Sequence, residues 1–166
     1  MTPGDEQLYL RTLHDLVATG LDFCLIGTFA LRLHCPALPR HLVHDCDLML
    51  PAQPAQLTAL VQHLHESGWQ VTLWDEPVQL PLTAVQLAGK YYLRARQAGA
   101  ILDCAYENDY RTWPEFVSRR QWQRGLPVLS AEEIVAQKRQ LGKPAGQAVI
   151  RLYQQLAGLS GQENQP

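Results

Sequence analysis

The chain has 166 residues, a net charge of −2, 46% hydrophobic residues and 18% charged ones. That is one domain's worth of sequence with enough apolar content for a real core, which excludes a disordered or strongly basic chain. No run of about 18 apolar residues occurs, so no membrane span is expected. The opening MTPGDEQLYLRTL lacks the basic flank and apolar core of a signal peptide, which reads as a cytoplasmic protein.

In chain order, residues 5–19 place Leu8, Leu10, Leu13, Leu16 and Val17 near helical spacing, with Gly20 as a stop. FCLI (23–26) is a short buried strand. Gly27-Thr28 turns the chain into the helical FALRLH, which Pro36 and Pro39 break. VHDCDLML (43–50) predicts a second strand closing at Pro51. Residues 54–67 form an amphipathic helix with Leu57, Leu60, Val61 and Leu64 on one face, ended by Gly68. QVTLW (70–74) is a strand and 75–89 an irregular crossover. KYYLRAR (90–96) and AILDCAY (100–106) flank Gln97-Ala98-Gly99, a hairpin signal. PEFVSRRQWQ (114–123) reads as helix. Ser130, with Glu133 three places on, opens another, and 146–158 is the last. The tail 159–166 is polar and expected to fray. Strands bunch centrally and helices at the ends, the order of an α+β domain with a mixed sheet.

Cys24, Cys35, Cys46 and Cys104 match no common zinc spacing and read as buried free thiols. The four tryptophans read as packing residues. Charge is unevenly spread: residues 1–109 carry 6 basic and 12 acidic side chains, residues 110–166 carry 8 and 4. The basic part suits either a solvated helix face or contact with a polyphosphate or nucleic acid.

The acids carry the chemistry. On a strand, side chains alternate, so Asp45 and Asp47 share a face while His44 and Cys46 point the other way. Asp103 sits in a second apolar strand. Two carboxylates about 4 Å apart repel by on the order of 4 kcal/mol at an effective dielectric of about 20. A divalent cation removes that repulsion, and oxygen ligands suit Mg²⁺ or Mn²⁺. Upstream, strand–Gly27-Thr28–helix is the pattern of a phosphate site: close backbone approach, a hydroxyl, and unpaired N–H groups at a helix start. The competing reading is a turn-capping Asp45, an Asp47 paired with arginine, and an acid at a strand edge.

Together, IGTFALRLH, DCDLML and ILDCAY resemble the minimal nucleotidyltransferase superfamily, with its palm-like core shared with DNA polymerase beta. The abortive-infection, toxin-type members are the most similar. GLPVLSAEEIVAQKRQLGKP (125–144) extends the resemblance, which spans roughly residues 20–145. It implies a mixed sheet flanked by helices, with a core over 1–110 and a C-terminal helical segment over 111–158 packed on it as a single structural domain. It implies nucleotide binding by Gly27, Thr28, Arg40 and Lys138, and catalysis and metal binding by Asp45, Asp47 and Asp103. The chain departs from the family's pattern in two places. PRHLVHDCD has no Thr before the aspartate pair, with Arg40 one place further away, and Ala145-Gly146 follows Pro144 where Lys-Asp is common.

The activity implied is transfer of an NMP group from a nucleoside triphosphate to a hydroxyl of RNA, protein or a small molecule by a two-metal mechanism. A toxin role would add an antitoxin protein as partner. The alternative from a different class is a catalytically silent fold that binds nucleotide or another protein.

Overall fold

The computed structural model describes residues 1–109 and 111–162. Helix α1 (Pro3–Ala18) starts in a capping box in which Thr2 and Asp5 exchange side-chain-to-backbone hydrogen bonds. It is followed by β1 (Cys24–Ile26), α2 (Gly27–His34), a 3₁₀ turn (Arg40–Leu42) and β2 (Cys46–Met49). Helix α3 (Pro54–Glu66), β3 (Gln70–Leu73), β4 (Glu76–Pro77) and α4 (Ala84–Leu87) lead to the hairpin β5 (Tyr92–Gln97) and β6 (Ala100–Ala105). The chain ends with α5 (Trp113–Arg119), β7 (Arg120–Gln123), β8 (Leu126–Leu129), α6 (Ala131–Leu141) and α7 (Pro144–Gln162).

One mixed sheet runs in the order β4-β3-β5-β6-β2-β1-β8-β7. Its alternation is clean on β5 and β6, where Leu93, Ala95, Leu102 and Cys104 are buried and the residues between them are half-exposed or exposed. The buried face carries α1 and α3 through Tyr9, Leu13, Leu16, Leu57, Leu60, Val61 and Leu64. Trp69 is locked into this layer: its indole N–H donates to Thr12 Oγ1 at 3.2 Å and its ring stacks on Tyr9. Full burial of each such side chain is worth about 1.5–3 kcal/mol. Cys24, Cys46 and Cys104 are buried free thiols and Cys35 is half-buried.

The expected α+β class and mixed sheet are present. Several expectations need correction. PEFVSRRQWQ is not one helix: it breaks at Arg120 into β7, and Arg124 and Gly125 both take positive φ, as a two-residue type I′ turn needs. The hairpin partner β8 lies parallel to β1, with Leu25 opposite Val128. The segment 111–158 is therefore not purely helical; it completes the sheet that the first 110 residues begin. The crossover 75–89 contains β4 and α4. Trp122 is exposed, whereas Trp74, partly exposed, packs between elements on Tyr91 and Tyr92 as expected. Helix α7 continues to Gln162, beyond the expected end at 158; of the polar tail, residues 163–166 lie outside the described residues.

Candidate active site

The sheet order explains how distant acids meet. β2 lies between β1 and β6, antiparallel to the first and parallel to the second. Asp47 is thereby set opposite Ile26 on one side and Asp103 on the other. Asp45 precedes the strand and still converges with them: carboxylate oxygens of Asp45, Asp47 and Asp103 lie within 4.8 Å of one another. All three side chains are half-buried.

Ile26 also leads into α2. Gly27 has φ +73°, in the left-handed region that favours glycine. A Cβ built there would stand 2.8 Å from Asp47 Cγ and 3.1 Å from Asp47 Cβ, and closer still to Oδ2. The space that glycine vacates is thus taken by the Asp47 carboxylate, which revises the expectation that it was left for phosphate. Thr28 follows, and its hydroxyl accepts a hydrogen bond from Lys138 Nζ at 2.9 Å. Ile26, the residue at the start of α2, offers no side-chain capping hydrogen bond.

A cleft of about 380 Å³ opens here. Gly27, Thr28, Asp45 and Asp47 form one wall; Lys138 and Lys143 from α6 and the α6–α7 link form the other. Leu42, Leu141 and Val149 add an apolar lining. Gly142 in the left-handed conformation ends α6 and lets Pro144 begin α7, folding both helices over the cleft.

The electrostatics follow from this crowding. Burial, then the charges of Asp45 and Asp103, push the Asp47 carboxyl up to about 7. Asp45 is raised for the same reasons, burial first and Asp103 second, with His44 and Lys138 opposing. Lys138 is lowered by burial, while Asp47 and Asp45 hold it up. Among the described residues, no cation makes a direct ion pair with Asp45 or Asp47. Asp103 differs: Arg94 Nε donates to its Oδ1 at 2.6 Å and Nη2 to its Oδ2 at 2.7 Å.

Of the residues singled out from sequence, Gly27, Thr28, Asp45, Asp47, Asp103 and Lys138 come together. Arg40 does not. Its guanidinium binds Glu6 of α1, the same buried carboxylate that Arg32 approaches at 3.4 Å, so it staples the 3₁₀ turn to α1. His44 was expected to face away from the acids, but β2 begins only at Cys46, so strand alternation does not reach it and it lines the cleft. Arg94 and Lys143 were missed. A strict cross-strand register would have shown Arg94 opposite Asp103, since the Ala98-Gly99 turn fixes that pairing.

This sheet, with its flanking helices, is the nucleotidyltransferase fold. The chain is similar to the antibiotic-resistance factor ANT(2'')-Ia in its solution structure, with a TM-score of 0.61 and 18% identity over 92% of this chain and 84% of that one. It is also similar to ANT(2'')-Ia in complex with adenylyl-2''-tobramycin, with a TM-score of 0.55 and 20% identity over 96% of this chain and 93% of that one. A protein from H. pylori assigned as a nucleotidyltransferase gives 0.52 and 15%, over 83% of this chain and 59% of its own. No family profile and no curated protein sequence matches the chain. These likenesses speak for the fold; they lend nothing to the abortive-infection subtype. No helix among the described residues is long and apolar enough to cross a membrane.

Proposed function

We propose that the chain is a metal-dependent nucleotidyltransferase that moves the NMP group of a nucleoside triphosphate onto a hydroxyl acceptor. The observation that carries this reading is the convergence of Asp45, Asp47 and Asp103 within 4.8 Å beside the Gly27-Thr28 turn. The donor set fits a hard divalent ion: three carboxylates, two of them without a direct cation partner among the described residues. Mg²⁺ or Mn²⁺ held there would neutralise the carboxylates and draw charge from the α-phosphate.

The chain's own groups do the remaining work. Lys138, the Thr28 hydroxyl and the start of α2 hold the polyphosphate, with Lys143 across the cleft. The apolar lining from Leu42, Leu141 and Val149 keeps bulk water from the nucleoside end. The acceptor oxygen attacks the α-phosphorus, the bond to the β-phosphate oxygen breaks, pyrophosphate leaves, and the acceptor proton passes to the carboxylate cluster. Fixed geometry and charge supply the acceleration. Acceptors to consider are RNA, protein and small molecules; the adenylyl-2''-tobramycin bound to ANT(2'')-Ia adds weight to the last. A toxin role with an antitoxin partner rests on sequence likeness alone.

The silent-module alternative has one observation in its favour: both oxygens of Asp103 are already taken by Arg94. The test is release of pyrophosphate and labelling of acceptor from α-labelled triphosphates with Mg²⁺, for the parent chain and Asp45→Asn. Turnover lost in the variant is the expected result. Triphosphate binding without pyrophosphate release, across nucleotides and all three acceptor classes, would replace the enzyme with the module.

A further inference from the structure

The three acids of the cluster are not equivalent. Arg94 stands directly opposite Asp103 in the antiparallel β5–β6 pairing, and its planar fork meets both carboxylate oxygens. This is the bidentate geometry in which guanidinium outperforms any ammonium. Two further constraints hold it there. Its guanidinium carbon lies 5.1 Å from the centre of the Tyr92 ring, a cation–π contact from the same strand. Tyr92 in turn packs on Trp74 at 5.3 Å, so the arginine rests on an aromatic shelf. Only about a quarter of the Arg94 side chain and a sixth of the Asp103 side chain are exposed, with side-chain accessibilities of 27% and 17%.

Among the described residues, Asp45 and Asp47 lack such a partner. Lys138, which shares the cleft with them, spends a hydrogen bond on Thr28 rather than on either acid. A chain that needed three free ligands for two divalent ions would leave all three acids open. This one closes the third with a permanent monocation. We infer that Arg94 is a positioning residue that takes one cation's place at the cluster, so that the resting protein keeps a single divalent ion, at Asp45 and Asp47. This rests on the nucleotidyltransferase reading and narrows it: Arg94 both fixes the third carboxylate and opposes a second dication entering before the triphosphate brings its own negative charge.

The experiment counts bound Mn²⁺ by electron paramagnetic resonance, without nucleotide, on the parent, Arg94→Met and Arg94→Lys. The parent should bind one ion per chain. Arg94→Met, which removes the charge, should bind a second, with an affinity at least about tenfold above any second site of the parent. Arg94→Lys, which keeps the charge and loses the fork, should return the count to one; a purely structural arginine would not show that rescue. Circular dichroism checks that each variant is folded. Two ions of comparable affinity in the parent overturn the inference without any variant. So does one ion in folded Arg94→Met, or two in Arg94→Lys. A parent that binds no Mn²⁺, with or without triphosphate, overturns the enzyme reading itself, a different outcome from any of these.

Discussion

Replacing Gly27 by Ala asks whether the turn glycine serves the metal ligand or the phosphate. Gly20 supplies the control, because it has nearly the same φ, +77° against +73°, and nothing within 4 Å of an added Cβ. Gly20→Ala should therefore cost only the left-handed backbone penalty, about 1–2 kcal/mol. Gly27→Ala carries that penalty plus overlap with Asp47, where Cγ would be 2.8 Å away. Forcing extra atoms into filled space costs about 1–3 kcal/mol, so the total should reach about 2–5 kcal/mol. Asp47→Ala in the same chain should recover most of the excess, as a coupling of about 1–3 kcal/mol in a double-mutant cycle. Urea unfolding with chelator present gives all four stabilities. Mn²⁺ affinity without nucleotide gives the functional half: Gly27→Ala should lose it, because the new methyl displaces a ligand. Equal costs at Gly20 and Gly27, with Mn²⁺ affinity retained, would refute the claim that this glycine exists to make room for Asp47.

The Asp47 carboxyl, held near 7 when folded and near its ordinary 3.8 when unfolded, binds its proton more tightly in the folded chain. Metal-free stability should therefore fall as pH rises from about 4 to about 7. The undiluted effect is about 4 kcal/mol, and water and salt in the open cleft reduce it to about 1–2. Asp47→Asn should flatten that slope, so that parent and variant diverge as pH rises; parallel melting curves would count against it. Arg40→Ala should cost about 0.5–1 kcal/mol, since its side chain is half exposed, and leave triphosphate affinity unchanged in a calorimetric titration. Lys138→Met should weaken triphosphate binding by about 10- to 100-fold, the worth of a charged hydrogen bond; an unchanged affinity would remove Lys138 from the phosphate site.

How far the sequence carried the fold depended on which signals were local. The Asp pair, the Gly27-Thr28 turn and Asp103 were legible because each is a polar interruption of a short apolar run. The β5–β6 hairpin was legible because a glycine marked its turn. The β7–β8 hairpin was not, although Gly125 marks its turn as Gly99 marks the first: Pro127 argues against a strand, and the run before it opens as a helix. The parallel pairing of Val128 with Leu25 supplies the reason for this strand, and that is a long-range contact no local pattern encodes. Arg40 failed for the converse reason. Its place in a family motif suggested phosphate, but Glu6, 34 residues earlier, claims it. Arg94 hid in a run that reads only as strand, and its partner becomes visible once register is known.

The placement of charge around the cleft also bears on the order in which ligands fill it. Asp45 and Asp47 support the charge of Lys138, and Lys138 in turn favours the ionised acids. A divalent ion binding alone would compensate the acids and weaken their support for the half-buried Lys138. A triphosphate binding alone would satisfy Lys138 and Lys143 but bring its negative charge against the same acids. Binding both leaves neither side uncompensated, so each ligand should tighten the other by the same factor, as linkage requires. Arg94 strengthens this logic, because its charge disfavours a second ion until the triphosphate arrives. On the proposed reading, such a cleft holds one divalent ion at rest and assembles its reactive arrangement only when the triphosphate joins it.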